Sequence, residues 1–259
     1  MMVGMPRLTD RASIRRLLAA EPAWSLYALG DLASGYFEHC EWHATGTALI
    51  LVYRAVTPPV LFAGGDGAGA AELVAEISEP TVYFHMKTEA VDAVGWRYRD
   101  VHLKAMVRMI LDRTTFRPEC DGRCVRMGKS DVAAIERLYA DGRETGESPD
   151  FFFPPMVENG VFFGVYEGED LVAAAGTHLA EPGEGVAAVG NVYTRRDRRG
   201  RGLAGVLTTA VTKELLRMGV STIGMNVNRA NAGALRVYER LGFARYCDFI
   251  EGEAALVEP

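Results

Sequence analysis

The sequence predicts an α/β protein of the α+β type, built from two domains in which helices flank sheets. Of its 259 residues, 49% are hydrophobic and 24% are charged, which is typical of a folded globular chain rather than a disordered or fibrous one. Stretches with helical and with alternating hydrophobic periods succeed one another along the whole chain. Both halves share a rough order of helix, strands, glycine-rich turn, helix and strand. At roughly 100 to 200 residues per domain, this repetition predicts two domains.

The first domain, residues 1–117, is predicted to begin with a helix at 10–20. Ile14, Leu17 and Leu18 form one apolar stripe there, and Thr9 is a suitable N-cap. Runs rich in β-branched and aromatic residues then predict strands at 47–55, 60–63, 81–85 and 101–111, with a helix at 70–77. A polar, turn-rich stretch at 113–122 is taken as the junction.

The second domain, residues 118–259, continues the alternation. Its predicted strands are 124–127, 161–166, 171–179, 186–194, 222–227 and 243–250, and its predicted helices are 131–140, 203–218 and 232–241. The helix at 203–218 is the best determined, because its apolar residues keep one face and Gly219 supplies a left-handed stop.

Composition excludes several classes of function. A net charge of −6 argues against a general nucleic-acid binder, which needs a broad basic face. No apolar run approaches the roughly 20 residues of a membrane-spanning helix, and the start lacks the apolar core of a secretory signal. We therefore expect a cytoplasmic protein that binds neither nucleic acid nor membrane. Four cysteines favour free thiols, and Cys120 and Cys124 lack a second pair or a nearby histidine, so we expect no metal site.

Five arginines fall within seven positions, immediately before the well-determined helix. Arg195, Arg196, Arg198, Arg199 and Arg201 are accompanied only by Asp197 in this stretch. Gly200 and Gly202 stand where backbone N–H groups can approach a ligand at the positive end of the helix dipole. A solvated loop would carry such charges as well, but the fusion to glycines favours an anion site, and a phosphate is the expected ligand.

Two known phosphate-binding motifs, the dinucleotide-binding motif and the P-loop, are alternative interpretations of this segment. Residues 200–205 read G-x-G-x-x-G, but a dinucleotide site needs an acidic residue about 20 positions further on, and the next strand ends in Asn226 and Asn228 instead. A P-loop requires G-K-[ST], which is absent from the loop. Neither interpretation is favoured.

Two motifs follow each other in this half of the chain. The pattern [Q/R]-x-x-G-x-[G/A] is matched by Arg199, Gly202 and Ala204, or one step earlier by Gly200 and Gly202 with Asp197 in place of the usual first residue. The pattern N-x-x-N-x-x-A-x3-Y-x3-G-F is matched in full by Asn228, Asn231, Ala234, Tyr238, Gly242 and Phe243. With these two motifs, the first of which is an acetyl-coenzyme A signature, residues 124–250 resemble the GCN5-related N-acetyltransferase (GNAT) superfamily. The loop and its lead-in from Val192 are most similar to the FR47-like branch. The first half looks like a degenerate copy, since its turn at 64–67 has no basic residue.

The resemblance implies a tandem GNAT-like fold with mixed, mostly antiparallel sheets, and an acyltransferase that uses acetyl-coenzyme A and no metal. The acceptor would be a small-molecule or peptide amine, and the chain a monomer or homodimer. Carried over onto this chain, the coenzyme-binding residues are Val192, Tyr193, Thr194, Arg198, Arg199, Gly200, Arg201, Gly202, Leu203, Ala204, Asn228, Asn231 and Ala234.

Catalytic roles are implied for three groups. The N–H groups of Val192 and Tyr193 would stabilise the oxyanion, and the Tyr238 hydroxyl would protonate the departing thiolate. A purely structural role is the alternative for the residues of the second motif. Asn231 and Gly242 are good helix caps, and Tyr238 is placed to pack on Phe243.

The general base is the least determined group, because 186–194 contains no Asp or Glu. His178, on the preceding strand, is the candidate, since an unperturbed histidine has a pKa near 6.5; Thr177 and Asn191 could order a water between it and the amine. A histidine merely hydrogen-bonded on a sheet face is the alternative. The aromatic and proline-rich stretch 151–155 either covers the acceptor or is a hydrophobic plug between the halves. A coenzyme A-binding protein without turnover is the competing function.

Overall fold

The structure is a computed structural model that describes residues 7–95, 97–119, 122–149 and 151–257. Its helices are α1 (Arg11–Leu18), α2 (Leu26–Gly30), α3 (Gly67–Ala75), α4 (Thr88–Val94), α5 (Val132–Arg143), α6 (Pro155–Asn159), α7 (Leu203–Arg217) and α8 (Ala232–Leu241). Its strands are β1 (Arg7–Leu8), β2 (Cys40–Thr45), β3 (Ala48–Tyr53), β4 (Val60–Gly64), β5 (Thr81–Lys87), β6 (Tyr98–Leu111), β7 (Val125–Arg126), β8 (Phe163–Glu167), β9 (Asp170–Glu181), β10 (Val186–Thr194), β11 (Thr222–Asn228) and β12 (Phe243–Leu256).

The chain forms two compact units. The first contains Met1–Arg108, Val227–Ala230 and Tyr246–Pro259, and the second contains Met109–Asn226 and Asn231–Arg245. The predicted junction at 113–122 lies close to the first crossing. Most of β12, however, belongs to the first unit. The units are therefore discontinuous in sequence, whereas the predicted division at residue 117 gives two continuous segments.

The first unit is a sheet with the strand order β1-β2-β3-β4-β5-β12-β6. Its outer strands pair antiparallel, β4 and β5 pair parallel, and β12 lies antiparallel to β5 with Glu251 opposite His85. One face packs an apolar core under α3 and α4. Asp66 caps α3, since its side chain accepts the N–H of Gly69 at 2.7 Å. A carboxylate therefore occupies the end of this helix where an anion would bind.

The second unit has the strand order β11-β10-β9-β8-β7. β10 and β11 are parallel, and the remaining pairs are antiparallel. Helices α5 and α6 pack on β9, and α5 also contacts β10; their apolar side chains form a core with Phe162 and Tyr193. Helix α7 packs against β8, β9 and β10. The prediction of mixed, mostly antiparallel sheets with flanking helices is confirmed.

The predicted long elements occur, with small shifts at their ends. Helix α1 is capped by Asp10 rather than Thr9, because the Asp10 carboxylate accepts the N–H of Ser13 at 2.9 Å. The last strand continues beyond 250 to Leu256. The short elements β1, α2, β2, α4 and α6 were not predicted.

Cys40, Cys124 and Cys247 are free thiols, as expected, while Cys120 lies outside the described residues. Over the described ranges, no helix combines the length and the apolar character needed to cross a membrane. Over the same ranges, no three His, Cys, Asp or Glu side chains cluster as metal ligands would.

Candidate active site in the second unit

The loop between β10 and α7 is shaped by two glycines in the left-handed conformation. Gly200 has φ +77° and Gly202 has φ +76°, and Gly202 is the N-cap of α7 with no side-chain cap hydrogen bond. A Cβ built at either position meets no atom within 4 Å. Glycine is therefore required by the backbone conformation and not by packing, and the space at the helix N-terminus is open to a ligand.

The arginines of this loop are each paired with a carboxylate, so the strongly positive spot inferred from the sequence is corrected. Apart from Asp197, the acids come from distant positions in the sequence, where no local charge pattern reveals them. Arg195 contacts Asp197 at 2.7 Å and Asp170 at 3.5 Å, and Arg196 contacts Asp141 at 3.6 Å. Arg198 contacts Glu167 at 2.7 Å and also contacts Asp197. Arg199 contacts Glu147 at 2.7 Å, and Arg201 contacts Glu167 at 3.4 Å.

The paired carboxylates are held ionised by the arginines. Hydrogen bonds from Arg199, Arg198 and Arg195 lower the pKa values of Glu147, Glu167 and Asp197, respectively. All three carboxylates are at the surface, where ion pairs are weak and screened. These pairs are therefore exchangeable, and an anion that binds the arginines would have to replace the carboxylates.

Strand β10 is irregular close to this loop. Its parallel register with β11 runs from Val186 opposite Thr222 to Val189 opposite Met225. On its other side, the register with β9 shifts between Gly190 and Tyr193, so two residues of β10 face one residue of β9. Such a bulge takes backbone groups out of the regular ladder and redirects them. Of the two predicted oxyanion donors, Val192 lies in this bulge, and Tyr193 is the first paired residue after it, opposite Ala174.

The bulge is held by Tyr139 and Asp141, two residues that the sequence analysis did not select. Asn191 is 3% exposed and has φ +53°, a conformation uncommon outside glycine. The Tyr139 hydroxyl donates to the Asn191 carbonyl at 2.6 Å, and the Tyr193 hydroxyl donates to Asp141 at 2.8 Å. Asp141 also accepts the backbone N–H of Arg196 at 3.1 Å, so one carboxylate braces both the bulge and the arginine loop.

His178 lies beside the same bulge. The register shift between Ala188 and Val189 makes His178 the extra residue of β9, since Leu179 and Thr177 face those two positions. A Cβ on Gly190 would lie 2.6 Å from the Nε2 and Cε1 atoms of the His178 ring. The imidazole of His178 therefore packs directly on Gly190. A glycine inside a strand indicates that another group approaches the backbone closely, and this signal could have predicted the contact.

The Thr177 hydroxyl already has one partner. Its Oγ1 accepts the N–H of Val161 at 3.0 Å, and Thr177 is buried. Its O–H proton is the group that would order a water, and this role stays a prediction. Of the turn carboxylates near His178, Glu181 has a raised pKa because it is partly buried and lies near Glu184. His178 remains the candidate base by its position.

Tyr238 lies on α8, which packs against α7. The hydroxyl-bearing side chain is 7% exposed, and its ring lies 6.4 Å from that of Phe243. Burial raises the pKa of Tyr238 to about 12, so the phenol carries its proton at neutral pH. Packing and proton donation are both compatible with this position.

The motif asparagines and Gly242 have clear local roles. Asn231 caps α8 by accepting the N–H of Ala234 at 3.0 Å, and Gly242 ends the helix with φ +100°. Asn228, which clusters with the first unit, accepts the N–H of Ala230 at 2.8 Å. The capping roles expected from the sequence are confirmed, and their contribution to coenzyme binding stays a prediction.

The aromatic stretch before α6 divides its side chains. The Phe152 ring packs on Tyr139 at 5.1 Å and on Phe162 at 6.1 Å, within the core of the second unit. Phe153 is 48% exposed. Phe152 thus anchors the stretch, and Phe153 is left on the surface.

Comparison with known proteins agrees with this geometry. The sequence profile described as "Acetyltransferase (GNAT) family" matches residues 129–243. A mycothiol acetyltransferase from Geodermatophilus obscurus is 34% identical over 96 residues, which are 36% of this chain and 31% of that protein. The chain thus spans about a third of the length of this curated relative.

Solved structures show the same fold over nearly the whole chain. A Drosophila protein superimposes with a TM-score of 0.72 at 13% identity, covering 98% of both chains. A tandem GNAT protein from the clavulanic acid biosynthesis pathway superimposes with a TM-score of 0.57 at 15% identity, again covering 98% of both chains. At these identities the likeness concerns the fold alone.

Proposed function

We propose, from the match of residues 129–243 to the GNAT acetyltransferase family, that this chain is an N-acyltransferase that moves an acetyl or short acyl group from acyl-coenzyme A directly to a primary amine. The observation that carries the proposal is the N-terminus of α7. Two left-handed glycines keep it open, and five arginines with exchangeable partners surround it.

The residues present fit a coenzyme with a diphosphate. The N–H groups at the start of α7 and the side chains of Arg198, Arg199 and Arg201 would bind the phosphates, and Thr194 would lie beside the pantetheine arm. Bound acyl-coenzyme A supplies the activated thioester. The chain must then orient the thioester carbonyl and manage two protons.

The bulge of β10 would orient the carbonyl. Backbone N–H groups of Val192 and Tyr193 would donate to its oxygen, which gains charge as the amine attacks. The Tyr139 and Asp141 contacts hold the bulge rigid, so these donors need little rearrangement.

Two side chains would move protons. His178 would take the proton that the attacking amine loses, directly or through a water. The N–C bond then forms and the C–S bond breaks, and Tyr238 would give its proton to the sulfur. The pKa of Tyr238, raised to about 12, keeps that proton available at neutral pH.

A thiol-release assay tests the function. Acetyl-coenzyme A and pooled primary amines are added to the protein, and free thiol is followed over time. Steady release that depends on the amines, and that is reduced in Arg199→Ala, is the expected result.

The competing function is coenzyme A binding without turnover, and the absence of a carboxylate on β10 favours it. Tight binding in calorimetry with no amine-dependent thiol release would establish that alternative. No binding at all would reject both. A productive pool is then resolved amine by amine, which identifies the acceptor class.

A further inference from the structure

The first unit contains a polar sheet face that its fold alone does not explain. One face of β5 and β12 is the apolar core under α3 and α4. The opposite face carries titratable side chains instead. It includes His85 and Lys87 of β5, Glu251 of β12 opposite His85, and Arg108 of β6. Trp24, which precedes α2, lies against this face.

Arg108 is the most unusual member of this face. It is 0% exposed, and its guanidinium lies 5.1 Å from the Tyr27 ring, 5.5 Å from the Trp24 ring and 5.6 Å from the Phe249 ring. Its Nη2 donates to His85 Nε2 at 2.7 Å. Within the part of the chain that the structure describes, Nε and Nη1 have no hydrogen-bond partner.

Among the described residues, no acid contacts the Arg108 guanidinium directly. Because Arg108 donates to Nε2, His85 is neutral with its proton on Nδ1, which faces Glu251 at 3.6 Å. Burial lowers the pKa of His85 in the same direction. Glu251 therefore contacts the imidazole and acts on the guanidinium through its charge alone.

A buried guanidinium with unsatisfied N–H donors destabilises the folded state, and a ligand that accepts those hydrogen bonds would offset this cost. Oxyanions are the ligands that satisfy N–H donors of arginine best. The three surrounding rings add an apolar wall, which suits an organic carboxylate better than inorganic phosphate.

A second, partly exposed cation lies on the same face. The Nζ atom of Lys87 lies 5.7 Å from the same Trp24 ring, and its side chain is 27% exposed. Its partner Glu21 also accepts from the hydroxyl of Tyr246, which is 43% exposed. Lys87 therefore adds positive charge at the solvent-exposed part of this face, and its ion pair is exchangeable.

We propose that the first unit binds a small organic carboxylate on this face, with Nε and Nη1 of Arg108 as donors and the rings of Trp24, Tyr27 and Phe249 against its apolar body. The site differs from the coenzyme site, since the helix of this unit that could hold a phosphate is capped by Asp66. The first unit would thus sense or store a metabolite acid rather than repeat the function of the second.

Calorimetry of the whole chain with benzoate tests this proposal. The titration is made with saturating coenzyme A present, so that the α7 site is occupied. Benzyl alcohol, of similar size but uncharged, is the control ligand. Arg108→Met removes the guanidinium, and Arg54→Met is the control variant, because Arg54 is a surface arginine of the same unit paired with Glu41 and Glu79.

Wild type and Arg54→Met are expected to bind benzoate with one-to-one saturation and to ignore benzyl alcohol. Arg108→Met should bind benzoate at least about tenfold more weakly, since hydrogen bonds to a charged group are lost. Without ligand, Arg108→Met should melt at a higher temperature than wild type, because a buried and incompletely paired charge has been removed.

Two results would overturn the proposal: no saturable heat from benzoate in the wild type, or unchanged benzoate binding in Arg108→Met. If Arg108→Met fails to fold, the wild type still decides by NMR of its guanidinium ¹⁵N signals. The ¹⁵N signal of one buried arginine must change with benzoate concentration as the calorimetric saturation curve does. If no guanidinium signal changes, the site is rejected.

Discussion

The open N-terminus of α7 gives the sharpest test of the coenzyme site. Gly202→Ala places a Cβ where no atom lies within 4 Å, so the substitution creates no clash in the unliganded protein. It does force an alanine to φ +76°, which costs about 1–2 kcal/mol. Gly219 stands just beyond the other end of the same helix, with φ +82° and equally empty surroundings. Gly219→Ala is therefore a control with the same strain and no ligand nearby.

Both variants should lose about 1–2 kcal/mol of unfolding free energy in denaturant titrations. Only Gly202→Ala should also lose coenzyme A affinity in calorimetry, because its methyl group occupies the space that backbone and diphosphate would share. A loss of about tenfold or more is expected, equivalent to about 1.4 kcal/mol. Equal affinities of Gly202→Ala and wild type would refute the site. An equal loss in Gly219→Ala would show that helix strain, and not the ligand contact, had been measured.

Three further predictions concern individual side chains. Tyr238→Phe should lower kcat by about 10²- to 10⁴-fold in the thiol-release assay while coenzyme affinity is kept, and full activity would assign Tyr238 to packing alone. His178→Ala should lower kcat/KM and remove an acidic limb near pH 6 to 7 from the pH profile, whereas an unaltered profile would exclude it as the base. A hydrogen bond from Arg199 lowers the pKa of Glu147 below its ordinary value of 4.5. The Arg199–Glu147 ion pair is therefore fully formed above pH 4.5 and is lost only as the pH falls through the lowered pKa. Glu147→Gln should therefore tighten coenzyme A binding modestly and equally from pH 5 to 8, with the exposed Glu144→Gln as control; weaker binding in calorimetry would contradict the competition between carboxylate and phosphate.

The long elements and the phosphate loop could be predicted because their signals are local. The apolar face of α7 and the glycines around it lie within one stretch of sequence, and helix and turn chemistry act over a few residues. Short elements such as α2 and α6 could not be predicted, since four or five residues carry too little periodicity.

The electrostatics of the site could not be predicted for a different reason. The partners of Arg196 and Arg199 are Asp141 and Glu147, which are more than 50 positions away in sequence and meet them only through the fold. The bulge at Asn191 likewise depends on Tyr139 of another element. Arg108 gave no sequence signal at all, because a single arginine in a strand pattern is usually a surface residue.

The placement of β12 has a consequence for biosynthesis. This strand pairs with β5 over residues 249–255, yet the ribosome makes it after every residue of the second unit. The unit that is encoded first is therefore completed second. Until residue 256 has emerged, one edge of β5 has no neighbour, and an exposed strand edge invites pairing with other chains. A fragment that ends at residue 117 would carry that open edge permanently, so dissecting the protein at its apparent midpoint is expected to give aggregates rather than an isolated first unit.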